Sequence, residues 1–429
     1  MSANAPPLPF PMPFSMQAAI TVEDVRLARE LLRDVAVRTP LRRFPQANQW
    51  VGGTGEGPGS DCEIWLKLEN EQRTGSFKVR GAVNKMTHLT PDERKRGVVA
   101  SSAGNHAQGV AFAAQQLGVK ATIVMPLSAP IVTINATRGY GARVILHGDF
   151  YDEAYVRALE LEKEHGFVFV HPFEDPLIIA GQGTIALEVL DDLPDLDSIV
   201  VPMGGGGLIS GIATVIKALK PSCRVIGVVS DQAPGMLHLY NGTPAPAARG
   251  PISTIAEGIA VKRPSQAMLD VYLSRLVDEV VSVNDDEISQ AITFLLEKAK
   301  TVTEGSGAAA LAAAFARPLD LGRKSCVLLC GGNIDLNVIT KVIERGLRRQ
   351  GRLVRISVVT DDLPGNLNRL TQVFATARSN ILDVHHDRVS PDLGLRETRI
   401  DVLAETSSLD HIAEIVTELK HLGFRVLAN

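Results

Sequence analysis

The chain is poor in aromatic residues, at 5%, and has no basic excess: 44 Lys and Arg stand against 48 Asp and Glu, a formal net charge of −4. Little is present to stack on bases or to neutralise phosphates, so neither a nucleic-acid nor a membrane partner is expected. Cysteine is scarce too. Cys62, Cys223, Cys326 and Cys330 form no CxxC pair, and the last two lack partners at zinc-site spacing. Four scattered thiols in 429 residues read as a reduced, cytoplasmic protein. Met1–Met16 holds Pro and Ala but no basic segment followed by an apolar one. It reads as part of a disordered tail over residues 1–19, not as a signal peptide. The longest apolar stretch, Ile199–Leu219, is broken by Pro202 and by Gly204–Gly207, which excludes a membrane span.

What remains is ordinary globular composition, 45% hydrophobic and 21% charged. At about 150 residues per domain the length predicts two or three domains. From Glu63 to Val342 short apolar runs alternate with helical patterns. The predicted strands are Glu63–Leu68, Gly97–Ser101, Ala121–Met125, Arg143–Leu146, Ser198–Val201, Arg224–Val229 and Cys326–Leu329. Such alternation predicts an α/β fold with parallel sheets covered on both faces. Val51–Ser60 is Gly-rich and reads as a surface loop. The pattern changes after Arg345. Residues 346–352 read as a linker. Beyond them come strand Leu353–Val359, helix Leu367–Arg378, strands Ile381–Asp387 and Glu397–Val402, helix Leu409–Leu422 and strand Phe424–Leu427. The order βαββαβ is a ferredoxin-like unit.

Four segments carry chemistry. In Thr74-Gly75-Ser76-Phe77-Lys78-Val79-Arg80-Gly81-Ala82, Ser76 is expected to cap a helix with Lys78 in its first turn. The positive helix end then lowers the lysine pKa and favours the neutral amine that forms imines. An isolated lysine is ordinarily a solvated surface group. Ser101-Ser102-Ala103-Gly104-Asn105-His106 is either a carboxylate cradle or a plain capped turn. Gly204-Gly205-Gly206-Gly207-Leu208 follows a buried strand and lets the backbone wrap an anion at a helix start. It is neither GxGxxG nor a P-loop. In Leu329-Cys330-Gly331-Gly332-Asn333, Cys330 is either a weak hydrogen-bonding partner for a ring nitrogen or a buried filler. Together the four supply an amine, a carboxylate cradle, a phosphate cup and a partner for a heterocycle, at least three of them at strand ends where α/β folds bind ligands. That set describes a site for pyridoxal phosphate.

These segments resemble the threonine dehydratase (threonine ammonia-lyase) family, which has the tryptophan-synthase-β type of pyridoxal-phosphate fold, fold type II. Ala136-Thr137-Arg138-Gly139-Tyr140-Gly141-Ala142 and Ile179-Ala180-Gly181-Gln182-Gly183-Thr184 match as well. The similarity runs from about Ile20 over nearly the whole chain. It implies a catalytic domain over 20–345, with a smaller subdomain inserted at about 95–175. The 353–429 unit, with Asp362-Leu363-Pro364-Gly365-Asn366-Leu367, resembles an ACT regulatory domain.

The resemblance implies that Lys78 is the Schiff-base lysine and the acid–base group at Cα. Phe77 packs near the ring, Asn105 bonds the ring hydroxyl and Gly204 to Leu208 hold the phosphate. Cys330 faces the pyridine nitrogen, where many relatives have serine. Either residue is neutral, which limits carbanion stabilisation and suits rapid loss of a β-hydroxyl. Ser102, Ala103, Gly104, Asn105 and His106 hold the substrate carboxylate. The implied reaction is β-elimination of L-threonine, and of L-serine, to 2-oxobutanoate or pyruvate and ammonia. Another hydroxy-amino-acid lyase, such as one for 3-hydroxyaspartate, and a non-catalytic amino-acid sensor are the alternatives.

Ala103 stands where related racemases place a second, serine, proton carrier, so racemisation is not expected. Val229 stands where some relatives have a metal-binding carboxylate, so no metal is expected. Thr133 replaces a lysine of many relatives, without a functional account. Glu304 either faces the cofactor ring or is an ordinary helix-start carboxylate. Asp362, Gly365, Asn366 and Leu367 are the candidate effector site, with a purely structural dimerisation module as the alternative. Leu353–Val359 is expected to offer an edge to a neighbouring chain, giving a homodimer or homotetramer.

Overall fold

A computed structural model describes residues 19–51, 62–245 and 252–427. Nearly all of the expected tail and Gly-rich loop lies outside the described residues. In chain order the strands are β1 (Leu41–Arg43), β2 (Glu63–Leu68), β3 (Val98–Ser101), β4 (Ala121–Met125), β5 (Arg143–Leu146), β6 (Val168–Phe169) and β7 (Ser198–Pro202). They continue as β8 (Arg224–Ser230), β9 (Glu279–Val283), β10 (Lys324–Leu329), β11 (Leu353–Asp361), β12 (Ile381–Asp387), β13 (Glu397–Glu405) and β14 (Arg425–Val426). Every predicted strand is present, shifted by a residue or a few at some ends.

The described chain forms two compact units, dividing between Asp335 and Leu336. The first contains two sheets. A six-stranded sheet runs β1-β2-β10-β7-β8-β9, parallel except for the antiparallel β1–β2 pair. A four-stranded parallel sheet, β5-β4-β3-β6, is the smaller subdomain. Strands β3, β4 and β7 are buried at every residue, because helices cover both faces.

Helix Pro176–Asp192 starts firmly. Its N-cap Asp175 accepts from Leu177 N at 2.8 Å and Ile178 N at 3.4 Å, and proline occupies the first turn. It packs against helix Lys78–Thr87 on one side and helix Gly207–Leu219 on the other. Glycines permit this. A Cβ on Gly181 would stand 2.6 Å from Gly81 Cα, and one on Gly211 would stand 2.3 Å from Ile179 O. The helices that carry Lys78 and follow the tetraglycine are thus locked to a common partner.

Below Lys78 lies a buried ionic cluster that sequence reading did not find. Arg80 donates to Glu69 (2.8 and 2.9 Å) and to Glu188 (2.6 and 3.0 Å). Lys67 donates to Glu188 at 2.5 Å and to Thr39 O at 2.7 Å. Burial pushes the Glu69 carboxyl up, but Arg80 beside it outweighs this and holds it below the usual carboxylate range.

In the second unit, helix Leu336–Arg349 precedes β11, so most of the expected linker at 346–352 is the end of a helix. The four strands run β12-β13-β11-β14, all pairs antiparallel, around a core that includes Ile356, Val358, Phe374, Ile400, Val402 and Leu419. This is the expected ferredoxin-like order. The expected free edge is corrected. Strand β11 is paired with β13 along its whole length and, on the other side, with β14 at Val358 and Val359, so it is an inner strand with no free edge at those two residues. The outer strands are β12 and β14.

Candidate active site

The site is assembled at the end of β10. Just past it Ser76 and Gly331 form an antiparallel bridge, Phe77 N donates to Cys330 O at 3.2 Å, and Gly332 N donates to Gly75 O at 2.8 Å. These bonds lace the lysine loop to the Cys330–Asn333 loop. Ser76 does not cap the helix. The N-cap is Phe77, without a side-chain cap bond, and the buried Ser76 Oγ has no partner among the described residues. The bridge to Gly331 has taken Ser76 out of cap position.

Lys78 is the first residue of its helix and is half-buried. Its Nζ donates to Pro172 O at 2.9 Å and lies 5.1 Å from the centre of the Phe77 ring. Its pKa falls from 10.5 to about 8, chiefly through burial, against an opposing pull from Cys330 and Glu304. Burial, not the helix end, is therefore the main cause of the lowered pKa. Cys330 is buried, its Sγ 3.5 Å from Ser306 O, and burial pushes its pKa well above 9, so it stays a neutral thiol.

The residues after β6 bridge Lys78 and the tetraglycine. Pro172 supplies the oxygen that holds Lys78. Phe173 lies against the glycines: a Cβ on Gly205 would meet its ring at 2.4 Å, and one on Gly207 its carbonyl oxygen at 2.7 Å. A Cβ on Gly204 would meet Ile259 Cα at 2.9 Å, and Gly206, at φ +93°, has left-handed backbone. Glycine is thus required at this turn on separate grounds. The turn opens helix Gly207–Leu219, which begins with Gly207 and Leu208 and whose first N–H groups lack helical acceptors. Sequence reading missed His171-Pro172-Phe173, although it too lies between a strand and a capped helix.

Ser102, Ala103, Gly104 and Asn105 are partly exposed around the start of helix Asn105–Leu117. His106 departs from the expected cradle. Its imidazole is buried, with Nε2 2.8 Å from Val170 O, and burial lowers its pKa to about 3. It is a neutral core group. Asn105 Nδ2 donates to Glu304 Oε1 at 2.7 Å, and Ser306 Oγ donates to the same oxygen at 2.6 Å. Glu304 therefore turns into the site, and burial raises its pKa.

These residues fit pyridoxal phosphate: an amine with a lowered pKa, a glycine turn with free N–H groups, a neutral thiol and an orphaned serine hydroxyl. The chain matches the family described as "Pyridoxal-phosphate dependent enzyme" over residues 32–331. The chain belongs to the pyridoxal-phosphate-dependent enzymes. Among its relatives in this family, the L-threonine ammonia-lyase of Thermotoga maritima is 46% identical over 407 residues, covering 95% of this chain and 99% of that one. Threonine deaminase isoform 2 of Solanum lycopersicum is similar in structure, with TM-score 0.68 and 35% identity over 76% of this chain and 90% of that one. Maize serine racemase is similar at TM-score 0.69 and 31% identity, over 77% and 99%.

Among the described residues of this pyridoxal-phosphate enzyme, no group of three or more His, Cys, Asp or Glu is placed to hold a metal ion. Val229 is buried in β8. No helix of the described residues is long and apolar enough to cross a membrane. In the second unit Asp362 pairs with Arg388 at 3.0 Å, and Asn366 Nδ2 donates to Thr360 Oγ1 at 3.1 Å and Asp361 O at 2.9 Å. Gly365, at φ +95°, caps helix Asn366–Thr376, and Leu367 is exposed.

Proposed function

We propose that this chain is an ammonia-lyase that removes the β-hydroxyl and the amino group from L-threonine, and from L-serine. The observation that carries the reading is the Lys78 amine held at 2.9 Å by Pro172 O, on the segment whose next residue, Phe173, lies against the glycine turn. Pyridoxal phosphate, when bound, supplies the electron sink that lets a Cα proton leave. Lys78 Nζ takes that proton, and its lowered pKa keeps a working fraction of it neutral near pH 7–8. Ser102, Gly104 and the free N–H groups at the start of helix Asn105–Leu117 receive the substrate carboxylate. The N–H groups of Gly204 to Leu208 receive the cofactor phosphate, Asn105 the ring oxygen and neutral Cys330 the ring nitrogen. Phe77 packs beside the ring. Ala103 has no exchangeable proton, so Lys78 alone moves the Cα proton and the product is a 2-oxo acid, not a D-amino acid.

The second unit resembles an ACT domain, and its turn at Asp362, Gly365, Asn366 and Leu367 is the proposed binding place for a small amino-acid effector. Assembly as a homodimer or homotetramer is proposed as well; the outer strand β12, which exposes Leu382 and Val384, is one surface available for it. Four buried cysteines, none in a disulfide, support a reduced cytoplasmic setting.

A substrate panel tests the activity. L-threonine and L-serine should give 2-oxo acids with kcat/KM above that for 3-hydroxyaspartate, and no D-serine should form. A reversed ranking, or D-serine as the main product, contradicts the reading.

A further inference from the structure

We infer that Asn333 is a positioning residue that sets the orientation of the Asn105 carboxamide and so the donor that amide offers to the cofactor ring. The inference rests on the proposed role of Asn105. The geometry that carries it begins at a group with no ambiguity. Thr74 O is a backbone carbonyl and only accepts. Asn333 Nδ2 lies 2.7 Å from it, so the nitrogen of that amide faces Thr74. The same nitrogen lies 2.8 Å from Asn105 Oδ1. Its two N–H groups are therefore both engaged, one on Thr74 and one on Asn105. A donor at that place requires the oxygen of Asn105, and the nitrogen of Asn105 must then lie on the other side. There it meets Glu304 Oε1 at 2.7 Å. The reversed amide would set two N–H donors against each other at Asn333. One N–H of Asn105 is left over, and it is the one available to a ring oxygen.

The same bonds join the two halves of the site. Asn105 opens a helix of the smaller subdomain, whereas Thr74 lies four residues before Lys78 and Glu304 opens helix Gly305–Ala316. From Glu304 the chain continues through Ser306, whose carbonyl faces the Cys330 thiol. One run of hydrogen bonds thus ties the lysine loop, the ring-oxygen donor and the ring-nitrogen partner together. The backbone makes room for it. A Cβ on Gly75 would stand 2.4 Å from Asn333 Oδ1, and Gly75 has φ +71°.

A double-mutant cycle on the dissociation constant of pyridoxal phosphate from the apoenzyme tests this. Asn105→Ala should weaken binding about tenfold and Asn333→Ala roughly fivefold, the size of one modest hydrogen bond. The double variant should bind no more weakly than Asn105→Ala alone, because Asn333 acts through Asn105. Asn333→Asp keeps the shape but, when ionised, has no N–H to give; it should bind as weakly as Asn333→Ala. The visible absorption band of the bound cofactor should move in the same direction in the Asn105 and Asn333 variants. Effects that multiply in the double variant, or Asn333→Asp binding like the wild type, would overturn this inference alone. Asn105→Ala binding as tightly as the wild type would overturn the role of Asn105, and the inference with it. Thermal melts of each apoprotein show whether the variants are folded, and the isosteric aspartate keeps the test decisive if the alanine variant is not.

Discussion

The amine of Lys78 lies against the Pro172 carbonyl, and burial brings its pKa from 10.5 to about 8. Between those values the unfolded apoprotein holds a proton that the folded one has lost. This group's contribution to stability therefore rises with pH from about 8 to about 10.5, and below that window the charged amine is a full liability. Lys78→Met removes the liability. The apo variant should melt above the apo wild type near pH 7, and the difference should shrink as pH climbs through the window. An advantage that stays constant with pH would contradict the burial account. The lysine itself was legible in the sequence, because Gly75-Ser76-Phe77-Lys78 stands in a set with the tetraglycine and Cys330. The cause of its low pKa was not, since burial depends on what other segments bring to it. Ser76 shows the same limit: its sequence context suits a cap, but pairing with Gly331, 255 positions away, decides its place.

Helices and strands hold these residues through close packing and one buried ionic cluster. Arg80 lies two residues beyond Lys78 on the same helix and answers both Glu69 and Glu188. Arg80→Ala leaves two buried carboxylates facing Lys67 alone. It should destabilise the protein by about 3–5 kcal/mol, the cost of breaking a buried pair from one side. A chemical-denaturation midpoint unchanged from wild type would contradict this. The long elements were legible. Strands β3, β4 and β7 are short, mostly apolar runs, and the spacing of Ile412, Ile415, Val416 and Leu419 marks the helix that buries Ile415 and Leu419. Strand β6, at two residues, and β1, at three, are too short to show a period. That is why Pro172 and Phe173, three and four residues past the end of β6, escaped notice. The ionic cluster was hidden for another reason: Lys67, Glu69, Arg80 and Glu188 read individually as ordinary surface charges.

At the scale of the whole chain, a pyridoxal-phosphate enzyme is followed by a ferredoxin-like unit with its own core. The change of pattern after Arg345 announced the second unit in the sequence. Its boundary did not show, because helix Leu336–Arg349 runs unbroken through the change of pattern at Arg345 and into the expected linker. If the second unit is the effector site, calorimetry should detect a branched-chain amino acid binding to the full chain at the second unit. A chain ending at Asp335 should lose that binding while retaining pyridoxal phosphate. Equal effector binding by both chains would place the site elsewhere. The central claim concerns what the first unit does to its substrate. The most direct measurement is the stoichiometry of products from L-threonine with purified, cofactor-loaded protein, run beside Lys78→Ala. The account predicts ammonia and 2-oxobutanoate in equal amounts from the wild type and neither from the variant. Intact threonine after prolonged incubation of the loaded wild type, or equal product from Lys78→Ala, would contradict it.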